Sequence, residues 1–366
     1  MHERPARIRY LDGLRGLSIL LVLIWHFYGP TYAAYLPHGN QYSTLPIVRD
    51  GWAGVEMFFL ISGYVILITL ERCGGFVEFM LRRWLRLFPA MLLVSAAIFL
   101  FDHSTHLIAP YSGSKWVDLL PGLFFISPAF LHPLLHISLR SMDGVFWSLY
   151  VEVAFYITFG ILYFRFGTKV AIIGLLVLYI ITLSGRTVLS AMGATPLMMR
   201  GIEPLEWLGF NYFAWFASGA LFAIARKSES KVTFALAIVI GLCAGLLYKS
   251  PFTLLLSNRV MLLSVVLIFA AAQVYPIVQK MLTGKALLFL GFISYPLYLI
   301  HNDIGIALIA FAAAEFSAIP TSILPIAVTI IVIGIAWLIA RYGELRLSTT
   351  LSRVGRWLRY QLAAAF

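Results

Sequence analysis

The sequence predicts an all-α, polytopic integral membrane bundle of about ten transmembrane helices plus one short re-entrant or interfacial segment. Hydrophobic residues make up 61% of the 366 residues and charged residues 12%, against roughly 45–50% and about 25% in soluble domains. Apolar stretches of about 20 residues, long enough to cross a bilayer, recur from Leu14 to near Arg341. Such a chain cannot hide its apolar surface in a water-soluble core, so lipid is its expected solvent.

Polar residues and Pro/Gly-rich stretches divide the chain into eleven apolar segments. They are 14–34, 52–70, 84–101, 118–131, 145–165, 169–185, 207–225, 232–248, 257–275, 286–311 and 321–340. The segment 118–131 is shorter than a span needs and contains Pro121 and Pro128, so we expect it to be re-entrant or interfacial. Ten spans then remain.

The distribution of basic residues predicts the orientation of those spans. With ten spans, 20 of the 27 lysines and arginines fall in cytoplasmic segments, as the positive-inside rule requires. Both termini are then cytoplasmic, and the protein is a multi-pass protein of the cell (inner) membrane. The first span lacks a small-residue cleavage site, so we expect it to be retained. We expect one membrane domain over residues 1–345 and an Arg-rich amphipathic tail over 346–366.

The charge and the cysteines argue against two other classes of protein. The net charge of +11 comes from short basic clusters between spans, which topology explains, so no nucleic-acid partner is expected. Cys73 and Cys243 are far apart and lack the spacing of a metal site, so neither a disulfide framework nor a zinc site is expected. No metal is implied.

Three ionisable residues fall in the first two apolar segments, where each is costly and is therefore a candidate functional group. Arg15 and His26 are eleven residues apart, so on a helix they share one face about 16 Å apart along the axis. A histidine near the bilayer midplane suits general-base work on a hydroxyl, and Glu56 on the antiparallel second span could orient its imidazole. The alternatives are a histidine bonded to a neighbouring helix or in an interfacial aromatic belt, and a glutamate paired with an arginine.

Arg82, Arg83 and Arg86 lie within about one helical turn at the cytoplasmic start of the third span. Their spacing lets three guanidinium groups converge on a polyanion such as coenzyme A, with its pyrophosphate and ribose phosphate. The alternative is positive-inside topology with lipid headgroup contact.

Two later clusters project polar and aromatic groups towards the outer half of the membrane. They could line an acceptor pocket with aromatic faces for sugar rings. Helix capping, a buried salt bridge or an aromatic belt would also explain them. The residues are Trp147, Ser148 and Glu152 in one cluster, and Tyr295 and His301 in the other.

Taken in order, these residues resemble acyltransferase family 3, a family of polytopic membrane enzymes. The similarity covers nearly the whole chain. Its motifs are Tyr10-Leu11-Asp12-Gly13-Leu14-Arg15-Gly16, His26, Gly54-Val55-Glu56-Met57-Phe58-Phe59, Ser62-Gly63-Tyr64, Arg83 with Arg86, Trp147-Ser148-Leu149 with Glu152 and Phe155-Tyr156, and Ser294-Tyr295 with Tyr298-Leu299 and His301. Glu56 stands where aspartate is common.

The resemblance implies transfer of an acyl group, most often acetyl, from cytoplasmic acyl-CoA to a hydroxyl of a cell-surface carbohydrate. That acceptor could be an exopolysaccharide, O-antigen or lipid-linked precursor. Arg15 and His26 correspond to the essential pair, and Arg83 and Arg86 to the acyl-CoA motif. Many relatives carry a fused extracytoplasmic domain; this chain ends at Phe366 without one, so we expect the membrane domain to serve the acceptor directly.

The resemblance also suggests membrane lipid and glycan-biosynthesis proteins as partners. Direct transfer and an acyl-histidine intermediate are both open. The main alternative function is a transporter or flippase for a glycan precursor or small anion, in which Arg15, His26 and Glu56 form a translocation path. A polytopic scaffold for a glycan-synthesis complex is a third.

Overall fold

The computed structural model describes residues 8–105, 107–193, 195, 200–248, 256–344, 346–351 and 353. In these ranges every regular element is helical, which confirms the all-α prediction. The α-helices are α1 (Arg9–Tyr28), α2 (Pro46–Arg49), α3 (Gly54–Leu70), α4 (Phe76–Ser104), α5 (Leu119–Phe124), α6 (Pro128–Leu135), α7 (Trp147–Ala191), α8 (Glu203–Trp207), α9 (Phe213–Ser228), α10 (Lys231–Leu246), α11 (Leu256–Val274), α12 (Pro276–Leu282), α13 (Lys285–Ile300), α14 (Asp303–Glu315) and α15 (Leu324–Leu338).

Several of these helices are long and apolar enough to cross a bilayer, so the chain is a membrane protein. Within the described ranges, five pass on length and composition, or up to seven if each bent pair of helices is one span. The helices α9 and α10 have 16 residues each and lie where the sequence predicts two further spans. The count of ten stays a prediction.

Three breaks interrupt the long helices, and the first two have a local cause. In α7 the backbone leaves the helical region at Gly167, where φ is 80°, a value that glycine adopts without steric cost. The sequence predicted separate spans on either side of this residue. Between α11 and α12 the chain turns by 109° at Pro276, whose preceding residue is extended as proline requires. Between α13 and α14 it turns by 77°.

The chain divides into two compact units. The first comprises Met1–Ala33, Gly39–Cys73 and Ser148–Ser294, and the second comprises Ala34–His38, Gly74–Trp147 and Tyr295–Phe366.

In the first unit, glycines allow helix backbones to touch. A Cβ at Gly63 of α3 would collide with the carbonyl of Phe216 in α9, and one at Gly219 of α9 would collide with the carbonyl of Leu60 in α3. A Cβ at Gly54 of α3 would collide in the same way with the carbonyl of Ser18 in α1. The prediction that the small residues of the second apolar segment serve close helix packing is therefore confirmed at Gly54 and Gly63.

In the second unit, the segment 118–131 forms neither a long helix nor an extended chain. It contains α5, of six residues, and the start of α6, of eight residues. Both are far shorter than a bilayer span. Gly122 of α5 packs against the side chains of Met91 and Ser95 in α4. Most of the tail predicted over 346–366 lies outside the described residues, so its boundary and its amphipathic helix stay predictions.

Candidate active site

His26 lies near the end of α1 and has only 4% of its surface exposed. Its Nδ1 donates a hydrogen bond to the carbonyl oxygen of Val22, one turn earlier, at 3.0 Å. Because a carbonyl oxygen can only accept, Nδ1 carries the proton, and the lone pair of the neutral ring is on Nε2. The helix therefore holds the ring in the tautomer that a base acting through Nε2 requires.

Aromatic side chains flank this imidazole. The ring centroid of Trp25 is 4.3 Å from that of His26, edge to face, and Tyr32 stacks on His26 at 5.6 Å. Tyr32 comes from a short 3-10 turn that begins at Pro30, just after α1 ends at an extended Gly29. The end of the first helix thus combines one ionisable ring with aromatic faces.

Arg15 lies on the same helix as His26, as the sequence predicts. Its guanidinium is 3.3 Å from the carboxylate of Asp12, and its side chain is 30% exposed. On either side of Arg15, a Cβ at Gly13 or Gly16 would collide with the carbonyls of Leu282 and Leu287 respectively. These close approaches fix the face of α1 that turns towards α12 and α13. The catalytic role of Arg15 stays a prediction.

Glu56 occupies the first turn of α3 and is 1% exposed. Its carboxylate accepts a hydrogen bond from the hydroxyl of Tyr248, whose ring stacks on Trp52 at 5.2 Å. The Oε2 atom of Glu56 has no hydrogen-bond partner among the residues that the structure describes. At Nδ1 of His26 the orienting acceptor is the carbonyl of Val22; the sequence suggested Glu56 for this task.

The basic motif lies in α4, in the second unit, and acidic groups already contact two of its three guanidinium groups. Arg82 pairs with Glu78 one turn earlier, and Arg86 pairs with Glu344 at 3.2 Å. The Arg82 and Arg86 side chains are 53% and 46% exposed. An anion could therefore reach both, in competition with these carboxylates. Binding of an acyl donor by Arg82, Arg83 and Arg86 stays a prediction.

The sequence predicts that Tyr295 contributes to acceptor binding. In the structure, Tyr295 contacts the basic motif. Its hydroxyl donates to the carbonyl of Leu87 at 2.8 Å, and the Arg86 guanidinium lies 5.8 Å from its ring centroid. This distance is within the range of a cation–π contact. Tyr295 therefore contacts the basic motif, and its predicted role in acceptor binding stays a prediction.

The cluster at the start of α7 contains both exposed and buried groups. Trp147 is 37% exposed and Ser148 is buried. In the first unit, Glu152 accepts a hydrogen bond from Ser62 of α3 at 2.7 Å and another from Tyr156. Glu152 thus joins α7 to α3 through two hydroxyls. A role for Trp147, Ser148 and Glu152 in acceptor binding stays a prediction.

His301 lies at the bend between α13 and α14 and is fully buried. Its Nδ1 donates to the carbonyl of Tyr298 at 2.9 Å, and the Tyr298 hydroxyl donates to the carbonyl of Val145 at 3.1 Å. These contacts tie the end of α13 to the turn before α7. A role for His301 in acceptor binding stays a prediction.

Asp143 is a buried group that the sequence analysis missed. One carboxylate oxygen accepts from the amide of Val145 and from Asn302, and the other accepts from the amide of Asp303, which opens α14. Burial raises the pKa of Asp143 to about 6, and these hydrogen bonds oppose the shift. Both oxygens of the carboxyl accept hydrogen bonds, which favours its ionised form. Only the polar pair Asn302-Asp303 after His301 signals this partner in the sequence.

Comparison with known proteins decides the family. Residues 8–341 match the sequence model of a family described as an acyltransferase domain. The chain belongs to acyltransferase family 3. This finding confirms the resemblance seen in the motifs, and the helices described above make this family member a membrane protein.

Two individual relatives each match less than half of the chain. It is 28% identical over 174 residues to acyltransferase MdmB of Streptomyces mycarofaciens, covering 47% of this chain and 43% of that protein. It is 26% identical over 172 residues to O-acetyltransferase OatA of Staphylococcus aureus, covering 42% of this chain and 24% of that protein. The chain thus spans less than half the length of each of these curated relatives. No solved structure matches the chain.

Proposed function

We propose that the protein transfers an acetyl group from cytoplasmic acetyl-CoA to a hydroxyl of a cell-surface carbohydrate. The observation that supports this proposal best is the buried His26 imidazole, whose Nδ1 proton is held by the Val22 carbonyl and whose ring is flanked by Trp25 and Tyr32. An acyl transfer to an alcohol needs a base at the acceptor oxygen, and a sugar ring packs well against aromatic faces.

In the proposed reaction, Nε2 of His26 takes the proton of the acceptor hydroxyl as its oxygen attacks the thioester carbonyl carbon. The new C–O ester bond forms and the C–S bond breaks. The proton then passes from the imidazolium to the leaving thiolate, which departs as free coenzyme A. Glu56, whose Oε2 lacks a partner among the described residues, stabilises the imidazolium electrostatically. Burial of both groups limits hydrolysis of the thioester.

On the donor side, the proposal assigns the phosphates of coenzyme A to Arg82, Arg83 and Arg86. Arginine suits this task because its planar fork binds phosphate oxygens in a bidentate manner. Tyr295 positions Arg86 through the ring contact and through its hydrogen bond to the backbone of α4. Arg15, held by Asp12, is assigned to the reacting end of the donor.

The acetyl group and the carbohydrate class are inferred from relatives. The name of OatA describes an O-acetyltransferase, and the motifs resemble those of a family that acts mainly on glycans. Trp147, Ser148, Glu152 and His301 are proposed to contact the acceptor. The orientation with both termini in the cytoplasm, in the inner membrane, is part of the same proposal because it presents the basic motif to cytoplasmic acyl-CoA.

The decisive experiment is deletion of the gene, followed by NMR comparison of the surface glycans. Loss of an ester signal that returns on complementation would identify the acyl group and its position. An unchanged spectrum, with no release of coenzyme A by the purified protein supplied with acetyl-CoA and a glycan extract, would refute the proposal. A transporter would instead move substrate across proteoliposomes without consuming the thioester.

Trapping experiments separate the two chemical routes. Rapid quenching of the purified protein with radiolabelled acetyl-CoA in the absence of acceptor leaves the protein unlabelled if His26 acts as a base. A stoichiometric acetyl label on His26 would indicate the acyl-histidine route.

A further inference from the structure

The first unit contains a cavity of about 480 Å³ between the start of α1 and the α11–α12 bend. This volume falls within the range of small-molecule sites, about 300–1,000 Å³. Three basic side chains contribute to its walls, together with neutral hydrogen-bonding groups, and no carboxylate lines it. The polar and basic residues are Arg9, Tyr10, Arg226, Gln279, Lys280 and Thr283. A cavity with this lining has a net positive charge and donors suited to an anion.

Arg226 is held in place in this cavity by uncharged groups. Its guanidinium donates to the hydroxyl of Tyr10 and lies 5.5 Å from the Tyr10 ring centroid. Tyr10 is itself buried, and its hydroxyl donates to Gln273 at 2.8 Å. The hydroxyl of Tyr64 also bonds to this pair. Tyrosine hydroxyls thus fix the guanidinium without neutralising its charge.

Direct contacts distinguish Arg226 from its neighbours, although Glu71, which is paired with Lys227, lines a second cavity that Arg226 also lines. Over the described part of the chain, its polar partners are Tyr10 and Tyr64 and it forms no ion pair. By contrast, Lys227 pairs with Glu71 at 3.0 Å, and Arg86 pairs with Glu344. A guanidinium that is held by neutral groups and faces a cavity is preorganised for an external anion, because no internal ion pair must first be broken.

We propose that this cavity is a binding site for a phosphate group. Arg226 is the fixed ligand, and Arg9 and Lys280 complete its coordination from exposed positions. A phosphate mono- or diester matches the donors, because its several oxygens can accept from three cations and from the Thr283 hydroxyl at once. The site involves none of the residues assigned to the reaction, so it can be occupied whether or not His26 is the catalytic base.

Two phosphate-bearing molecules could reach such a site in a membrane acyltransferase. One is an anionic phospholipid, whose headgroup would anchor the first unit at the membrane surface. The other is coenzyme A, whose ribose phosphate or pyrophosphate has the same chemistry; its binding here would replace the assignment of that phosphate to the basic motif of α4. The shared ligand is the phosphate group, and experiment can distinguish the two sources.

The test compares the wild-type protein with three variants. Arg226→Gln removes the fixed charge, and Lys280→Gln removes an exposed charge without touching the Tyr10 network. Lys227→Gln is the matched control, because it removes one positive charge from the same helix end but does not line this cavity. The two probes are coenzyme A, measured by titration calorimetry, and phosphatidylglycerol in phosphatidylcholine nanodiscs, measured by native mass spectrometry.

We expect the wild type to bind at least one probe through this site. Arg226→Gln and Lys280→Gln should each weaken that binding about tenfold, the equivalent of one charged hydrogen bond, and Lys227→Gln should leave it unchanged. Loss confined to phosphatidylglycerol identifies the lipid, and loss confined to coenzyme A identifies the acyl donor. The proposal is overturned if Lys280→Gln binds both probes like the wild type, if Lys227→Gln weakens binding equally, or if the wild type binds neither probe.

Discussion

The Nδ1 atom of His26 donates to the carbonyl oxygen of Val22 at 3.0 Å, and His103 makes the same bond to the carbonyl of Phe99 at 2.9 Å. Both histidines bond to the residue four positions earlier in a helix. They differ in environment, because His26 is buried among aromatic rings and His103 is exposed. His103 therefore provides an internal control for any claim about His26.

Replacing His26 with Ala should lower the rate of acetyl transfer about 10²-fold to 10⁴-fold, the range that a general base contributes. The measurement is release of coenzyme A by the purified protein supplied with acetyl-CoA and acceptor glycan. His103→Ala should retain full activity, and both variants should elute as monodisperse protein in detergent. Normal transfer by the His26 variant would rule out the proposed base.

Glu56→Gln should lower kcat about tenfold or more while KM for acetyl-CoA changes little, because the charge acts on the transition state rather than on donor binding. Glutamine keeps the shape of the side chain and can still accept from Tyr248. Glu71→Gln at the end of the same helix is the matched control, since that carboxylate is paired with Lys227 at the surface. Equal activity of Glu56→Gln and the wild type would leave Glu56 a structural residue only.

Tyr295→Leu should raise KM for acetyl-CoA more than Tyr295→Phe does. The phenylalanine variant retains a ring beneath Arg86 and loses only the hydroxyl that bonds to Leu87, whereas leucine removes both. The ring contact is worth about twofold to fivefold in affinity. Tyr298→Phe is the control, because it also loses a hydroxyl bonded to a backbone carbonyl, but that carbonyl belongs to Val145 and not to α4. An unchanged KM in the leucine variant would contradict the assignment of Tyr295 to the donor side.

Gly63→Val should destabilise the protein by about 1–3 kcal/mol or more, because overpacking usually costs that much. The added side chain would meet the backbone of Phe216, which cannot rotate away. Gly334→Val in α15 is the matched control, because a Cβ at Gly334 has nothing within 4 Å. Thermal unfolding in detergent measures both. Similar unfolding temperatures for the two variants would show that α3 and α9 do not approach through Gly63.

Asp143→Asn should destabilise the protein by about 1–3 kcal/mol, because an amide NH₂ would then face other donors and leave a buried hydrogen bond unmade. The loss should be seen as a lower unfolding temperature. Glu315→Gln, at the exposed end of α14, changes the same charge without changing a buried contact and should have no effect. Should the two variants unfold alike, the three hydrogen bonds of Asp143 would contribute nothing measurable.

Features that depend on short stretches of sequence were predicted well. The break at Gly167 and the helix containing both Arg15 and His26 follow from local rules of glycine geometry and apolar periodicity. The hydrogen bond from His26 to Val22 could also have been predicted, since the two residues are one helical turn apart. The residue predicted to orient the His26 imidazole was Glu56, whereas the observed orienting group is a backbone carbonyl.

Contacts between distant residues were beyond prediction from the sequence. Arg86 and Glu344 are 258 positions apart, and Tyr295 bonds to a backbone carbonyl 208 positions away. Periodicity tells which face of a helix is apolar, but it does not tell which other helix that face meets. The prediction of an acceptor role for Tyr295 rested on its neighbours in sequence and could not include its contacts with Leu87 and Arg86 of α4.

The bend between α13 and α14 was missed for a different reason. The segment 286–311 is apolar almost throughout, so hydropathy merges two helices into one predicted span. The polar pair Asn302-Asp303 marks the break, and both residues donate hydrogen bonds to the carboxylate of Asp143, which lies outside any apolar segment. Hydropathy averages over such a pair because each window still contains many apolar residues.

Asp143 lies at the end of the connection that follows α4. Its carboxylate bonds to the first turn of α14, about 160 residues later in the chain. Tyr111, in the same connection, donates its backbone amide to the Asp303 carboxylate at 2.9 Å, so the connection is fixed to the start of α14 at two points. An insertion between Tyr111 and Asp143 would lengthen a loop that is tied down at both ends, and the entropic cost of a longer loop rises only slowly with its length.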